Sequence, residues 1–408
     1  MSSDASAHGA PAGAAVQGAN PRTVFTLTIF VGSFLLFLVQ PMVARMALPK
    51  LGGAPAVWNS AMLVYQALLL GGYAWAHWLG RFPVRRQLML HGGLLVLAVF
   101  LSVFPIGLRA MNPPSDADVI FFVPQLLLAS VGSLILAVSA QAPLMQRWFS
   151  DSAPGANAYS LYAASNLGSF GGLIAYPLLV EPNLHLLTQS WGWSALYVAL
   201  VALVIVCGLT AARAVESRPF VPVQAAAAAS DGVVPRPGWR KVMLWIALSA
   251  VPSGLMLSTT THLTTDIMAM PLMWAIPLGL YLLSFSVAFA EKRGLADFFT
   301  LFAPPILLIS GGLSLLSQGG GSMMVVATSV LMLFAVAVSL HSRLYRERPE
   351  PAHLTFFYLM MSVGGALGGL FCALIAPLMF DWVYEHPLLI IAAALLMPLP
   401  PLMNTRWR

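Results

Sequence analysis

Charge is what this sequence has least of. Asp, Glu, Lys and Arg make up 8% of its 408 residues, where ordinary soluble domains carry about 25%. So small a supply cannot cover the surface of a large soluble core, and that class is excluded. Cysteine is almost absent as well. Cys207 and Cys372 each stand alone in an apolar run, which excludes a disulfide framework and cysteine-based metal spacing. The chain has no Walker sequence, no Gly-x-Gly-x-x-Gly after a strand and no nucleophile elbow. Gly319-Gly320-Gly321 joins two apolar runs and reads as a turn. No catalytic constellation is present, and neither a cofactor nor a metal is expected. Residues 1–21 hold no Lys or Arg and no apolar run, so they do not form a cleavable leader. Residues 1–22 read as a disordered tail.

Apolar sequence is abundant: 59% of residues are hydrophobic and the mean hydropathy is +0.83. Stretches near the roughly 20 residues that cross a bilayer fall at 24–48, 56–79, 88–108, 121–145, 159–180 and 193–212, then at 241–261, 271–290, 298–316, 322–341, 354–378 and 386–403. The fold class is therefore an all-α polytopic membrane protein of about twelve transmembrane helices. The Ala- and Pro-rich stretch 213–240 reads as a linker between two six-helix halves, 23–212 and 241–408. A formal net charge of +6 raises the question of nucleic acid, but the basic residues lie in short loops, and topology explains them better. With the N-terminus inside, 17 of the 20 Lys and Arg fall on one side and only Arg45, Lys50 and Arg109 on the other. That is the bias of cytoplasmic loops, so both termini are expected to be cytoplasmic, with the lipid bilayer as the first partner.

An internal repeat supports the two halves. Pro55-x-x-Trp58 followed by Tyr65 recurs as Pro271-x-x-Trp274 followed by Tyr281, with the same spacing. The Gly-rich run at 160–179 likewise resembles that at 356–379. A parallel repeat of two six-helix halves is a transporter architecture with the substrate site between the halves. Gly168 and Gly172, and Gly364/Gly365 with Gly368/Gly369, place small residues four apart on one helical face. Tight helix packing is the ordinary use of that pattern; a rocking interface is the functional one.

The misfits gather between Gln40 and Gln66. Polar and cationic groups are expensive in hydrocarbon and mark sites by default. Pro41 leaves the Phe37 carbonyl without its helical donor, and Gln40 stands beside it, so this bend reads either as a kink or as part of a site. Arg45 and Lys50 either snorkel to headgroups or pair across the repeat. With Trp58 matched to Trp274, Lys50 falls opposite Asp266, and Arg45 or Lys50 is expected to pair with Asp266 over the outer mouth. Glu181, Asp381 and Glu385 lie on the same outer side. His262, four residues before Asp266, reads as a proton-coupling group or as a satisfied polar residue at a helix end. Asn166 reads as interhelical glue or a ligand. Trp58, Tyr65, Trp274 and Tyr281 form an interfacial belt or a cage for a cationic amine.

QPMVARMALPKLGGAPAVWNSAMLVYQALLLGGYAWAH, LYAASNLGSFGGLIAYPLLVEP, THLTTDIMAMPLMWAIPLGLYLL and FFYLMMSVGGALGGLFCALIAPLMFDWVYEHPL resemble the membrane region of the bacterial spermidine-synthase-like integral membrane proteins, also described as fused major-facilitator/spermidine-synthase proteins. The resemblance covers nearly all of 24–403. It implies a bacterial inner-membrane module associated with polyamines or related small metabolites. In that family a soluble aminopropyltransferase-like domain typically follows. This chain stops at Arg408, so synthase activity is not expected of it.

Two functions remain open. One is a secondary transporter, alternating about a central site, for a small polar or cationic metabolite with a polyamine as the leading substrate. The other is a non-transporting scaffold that docks a separate soluble synthase-like enzyme on loops such as Arg343 to Arg348. The proposed pair has a direct test: exchanging the charges of Lys50 and Asp266 together should recover the folded yield lost in either single change. A double exchange no better than the singles means that no such pair exists.

Overall fold

The first apolar run folds into one continuous helix, α1 (Pro21–Leu51), despite prolines at 41 and 49 inside it. Proline removes one helical donor and crowds the preceding turn, but packing against neighbouring helices can hold such a helix together. Here Phe25 to Ala47 is largely buried. The computed structural model describes residues 21–52, 55–111, 119–153, 160–217, 237–266, 275–290, 292–316, 323–350 and 353–398.

After α1 come α2 (Pro55–Leu79), α3 (Val84–Leu101), α4 (Phe121–Ser152), α5 (Leu161–Asn183) and α6 (Leu186–Glu216). The second half contains α7 (Trp239–Asp266), α8 (Ala275–Ala288), α9 (Gly294–Leu316), α10 (Met323–Arg346), α11 (Leu354–Met379) and α12 (Glu385–Leu396). Among the described residues nine helices are long and apolar enough to cross a membrane. The helix α2 and the shorter apolar α8 and α12 complete the expected twelve. The chain is an all-α polytopic membrane protein, and among the described residues no strand occurs.

Two boundaries differ from the sequence reading. The third helix ends at Leu101 instead of continuing to 108, because Ser102 to Arg109 leaves the helix and docks sideways. Ile106 donates its backbone N–H to Ser194 and accepts from Ser190, while the backbone N–H of Arg109 reaches Ser130. Side-chain hydroxyls of α4 and α6 thus satisfy backbone groups that a helix would have satisfied itself. The linker also begins later, since α6 runs to Glu216. The tail at 1–20, most of the linker (218–236) and the segment 399–408 lie outside the described residues.

Within each half, one close helix pair sets the frame. Gly168 and Gly172 of α5 face the carbonyls of Phe30 and Phe34 of α1. Gly364 and Gly368 of α11 face the carbonyls of Ile246 and Ala250 of α7. Ile246 and Ala250 stand 216 positions after Phe30 and Phe34, the offset that also separates Pro55 from Pro271. The repeat is therefore one of contacts as well as of letters. Both glycine-bearing helices then pass into a π turn, Tyr176–Val180 in α5 and Phe371–Ile375 in α11, beside Pro177 and Pro377. Between the halves, α2 packs on α11 and α5 on α8.

At each of these four glycines a methyl group would meet backbone well inside van der Waals contact. Gly365, one residue on, meets nothing within 4 Å. Gly172→Leu or Gly368→Leu should therefore force the paired helices apart, at a cost of about 1–3 kcal/mol or more. Gly365→Ala should leave the apparent Tm in detergent almost unchanged. Equal losses at Gly365 and Gly368 would show that packing is not the cause.

Candidate functional site

Where the two halves meet, the structure encloses a cavity of about 150 Å³, room for a small solute rather than for one or two waters. Seven helices supply its polar wall. The first half contributes Ser33 and Gln40 from α1, Tyr65, Gln66 and Tyr73 from α2, and Ser139 from α4. From α5 come Tyr162, Ser165, Asn166 and Ser169, spaced so that one helical face carries all four. The second half adds Ser253, Tyr281 and Ser362. Every one of these groups is a hydroxyl or an amide. Among the described lining residues none is charged.

Several of these groups hold one another in place. Ser33 and Ser165 share a hydrogen bond of 2.8 Å between α1 and α5. Gln66 donates to the Ser253 hydroxyl at 3.2 Å, and that hydroxyl donates in turn to the Gly365 carbonyl at 3.0 Å. Because the Ser253 proton is committed to a carbonyl, the Gln66 nitrogen must be the donor, which fixes the amide orientation. The other end of the amide, Oε1, sits against Gly369, in space that a β-carbon there would fill. Gln66 is thus a pin from the first half, seated in a notch of α11. Gln40 turns back along its own helix to the Leu36 carbonyl at 3.3 Å, beside Pro41.

Toward the arginine-rich end, aromatic rings and two polar bridges close the cavity. Tyr162 stacks on Tyr358 at 5.2 Å and 15°, and also packs against Phe285 and Phe289. Tyr358 donates to Gln146 at 2.8 Å, and His77 meets Thr355 at 3.1 Å. Both bonds join the two halves.

Of the residues singled out in the sequence, Gln40, Tyr65, Gln66, Asn166 and Tyr281 come together in this cavity. Others do not reach it. Trp58 lines a small separate gap between α1, α2 and α4. Arg45 pairs with Glu181 at 3.2 Å within the first half; with Arg45 half exposed, such a pair contributes at most about 1 kcal/mol. Lys50 makes long contacts, 3.5 and 3.4 Å, to the carbonyls of Arg109 and Met111. Asp266 is the last described residue of α7; its side chain, and all of Trp274, lie outside what the structure describes. His262 stacks on His386, between α7 and α12. The polar lining residues that the sequence did not single out are Ser33, Tyr73, Ser139, Tyr162, Ser165, Ser169, Ser253 and Ser362. Their signal was a polar stripe at helical spacing in an otherwise apolar run, visible in the LYAASNLGS stretch and passed over in favour of its glycines.

The architecture can be compared with solved structures. The chain aligns with the human organic anion transporter MFSD10 (TETRAN) at a TM-score of 0.59 and 16% identity, over 92% of this chain and 96% of that one. The fold is that of the major-facilitator transporters. The inward-open xylose transporter XylE from E. coli aligns at a TM-score of 0.53 and 12% identity, covering 92% and 94% of the two chains. A POT family transporter in complex with 5-aminolevulinic acid aligns at 0.54 and 14%, covering 93% and 95%. No protein-family model and no curated protein matches the sequence. In this major-facilitator fold the cavity occupies the joint between the two six-helix halves.

The Gln66 pin gives a sharp expectation. Gly369→Ala should lower stability by about 1–3 kcal/mol, because the new methyl takes the place of Gln66 Oε1. In a Gln66→Ala background the same change should cost much less, a coupling that melts of the four proteins would measure. Strictly additive costs would mean that Gln66 does not occupy the notch.

Proposed function

We propose that this protein is a secondary transporter that moves a small, uncharged polar solute by alternating access about the cavity between its halves. The observation that carries this reading is the lining: many hydroxyls and amides, four tyrosines, and no charge among the described lining residues. A solute with several hydroxyl or amide groups would exchange its hydration for that wall at little cost. A polyamine, the substrate suggested by resemblance to the spermidine-synthase-like membrane proteins, would meet only ring faces and neutral dipoles. Burying ammonium groups without a counter-charge costs several kcal/mol per ion, so the lining favours the neutral solute. We place the arginine-rich end and both termini in the cytoplasm of a bacterium, with the helices in its inner membrane, on the strength of the basic bias in the loops.

The scaffold alternative needs its basic loop free for a partner. Arg343 instead binds the Leu396 carbonyl at 2.6 Å, Arg346 meets Asp297 at 3.4 Å, and Arg348 lies over the Tyr345 ring at 3.8 Å. These arginines already serve the second half itself, which supports the transporter reading.

Proteoliposomes loaded in turn with labelled neutral sugars and polyols, and with spermidine, test the proposal. Uptake of a neutral solute is expected, with Asn166→Leu and Tyr162→Phe each reducing it by about tenfold, a typical loss for a buried hydrogen bond. Spermidine flux with the same sensitivity would overturn the choice of substrate class. Absence of any flux, with a soluble enzyme co-purifying, would overturn transport.

A further inference from the structure

Away from the cavity, at the end that carries Arg45 and Glu181, α7 and α12 bring together a group of ionisable side chains that the transport reading does not use. The rings of His262 and His386 stack with centroids 5.4 Å apart and planes 15° apart. His386 is 4% exposed; its Nδ1 shares a 2.9 Å hydrogen bond with Ser258, and its Nε2 is buried with no hydrogen-bond partner among the described residues. Glu385, next in the chain, is 8% exposed. It makes no ion pair with Lys or Arg among the described residues.

We propose that the stacked pair His262–His386, with Glu385 beside it, is a proton-binding site that takes up one proton and couples its charge to the position of α7. Deep in a protein that spans hydrocarbon, the site can bear little net charge. Two neutral imidazoles and a carboxylate sum to −1. One added proton makes the site neutral, and a second would set like charges face to face. The two stacked imidazoles therefore act as a coupled pair that holds one proton, not as independent residues.

Among the described residues the surroundings add little that competes. On α7, Asp266 stands one turn beyond His262 on the same helix, with its side chain outside the described residues. On α11, Cys372 approaches, with its thiol 3.3 Å from the Gly254 carbonyl. The helices α9 and α10 also pack on α12, but their described residues Asp297, His341, Arg343 and Arg346 lie toward the opposite end of these helices, where Arg343 binds the far end of α12 at Leu396. Asp381, before α12, is exposed.

What makes the pair more than a buried contact is its position on α7. Ser258 bonds His386, while Ser253, five residues earlier, receives the Gln66 pin from the first half. Between them Gly254 lies against Leu389 of α12 and Cys372 of α11. A proton that alters the Ser258–His386 link thus acts on the helix that holds the two halves together at the cavity.

The test needs no transported solute, so its failure is separate from a failure of the transport reading. Spin labels at Leu187→Cys and Trp382→Cys, both exposed and on different halves at this end, report the distance across the mouth. Cys207 and Cys372 are buried and can stay. In lipid nanodiscs the distance distribution should shift between about pH 8 and about pH 5, the range over which histidine changes charge. The shift should disappear in His386→Gln and shrink in Glu385→Gln. If His386→Gln does not yield monodisperse protein, His262→Gln takes its place with the same expectation. A native chain whose distances ignore pH would overturn the proposal. So would a shift of unchanged size in the folded histidine variant.

Discussion

Close approach of backbones is the constraint on which the rest of this structure depends. In lipid no hydrophobic force drives helices together, so association rests on van der Waals contact and on what lets backbones come near. Gly168 and Gly172 let α5 lie on the carbonyls of α1; Gly364 and Gly368 do the same for α11 on α7. Each pair forms the inner wall of one half, and these four helices contribute Ser33, Asn166, Ser253 and Ser362 to the cavity. A larger residue at the glycines would displace the wall along with the packing. The frame and the site are therefore one feature seen at two scales.

Scarcity of charge follows from the same setting. The ion pairs of the described residues sit near helix ends: Arg45–Glu181, Arg85–Glu216, Arg147–Asp151, Lys241–Glu347 and Arg346–Asp297. The polar groups left for the interior are, Glu385 apart, chiefly amides, hydroxyls and imidazoles, which hydrocarbon surroundings tolerate once they are hydrogen-bonded. Function within the bundle must then be built from neutral dipoles and from the few groups whose charge can be switched by a proton. The cavity uses the first kind. The histidine pair supplies the second.

Much of the frame was legible because it depends on local rules. Length and hydropathy marked the spans, the arginine bias ordered them, and glycines four apart announced the close pairs. The site was less legible because it depends on which faces meet. Gln40, Gln66 and Asn166 stood out as polar letters in apolar runs, and they do face the cavity. Serines and tyrosines at the same spacing are unremarkable letters, and only the meeting of seven helices gives them meaning. Lys50 is a different case. The repeat aligned it with Asp266, whose side chain lies outside the described residues; among the described residues Lys50 meets the carbonyls of a segment that leaves α3 early. His386 was invisible for a similar reason: nothing in the chain points from position 262 to 386.

The links between the halves differ in kind from the links within them. Inside each half, glycine-lined backbones touch over several turns. Across the joint, α2 packs on α11 and α5 on α8, and the polar links are single hydrogen bonds, Tyr358 to Gln146, His77 to Thr355 and Gln66 to Ser253, together with the stacking of Tyr162 on Tyr358. Each such contact contributes on the order of 1 kcal/mol, so a handful can be broken by modest differences in binding energy, as exchange between two states requires. In the transport cycle proposed above, a solute bridging α5 and α8 would act on these contacts between the halves, because it would touch both at once.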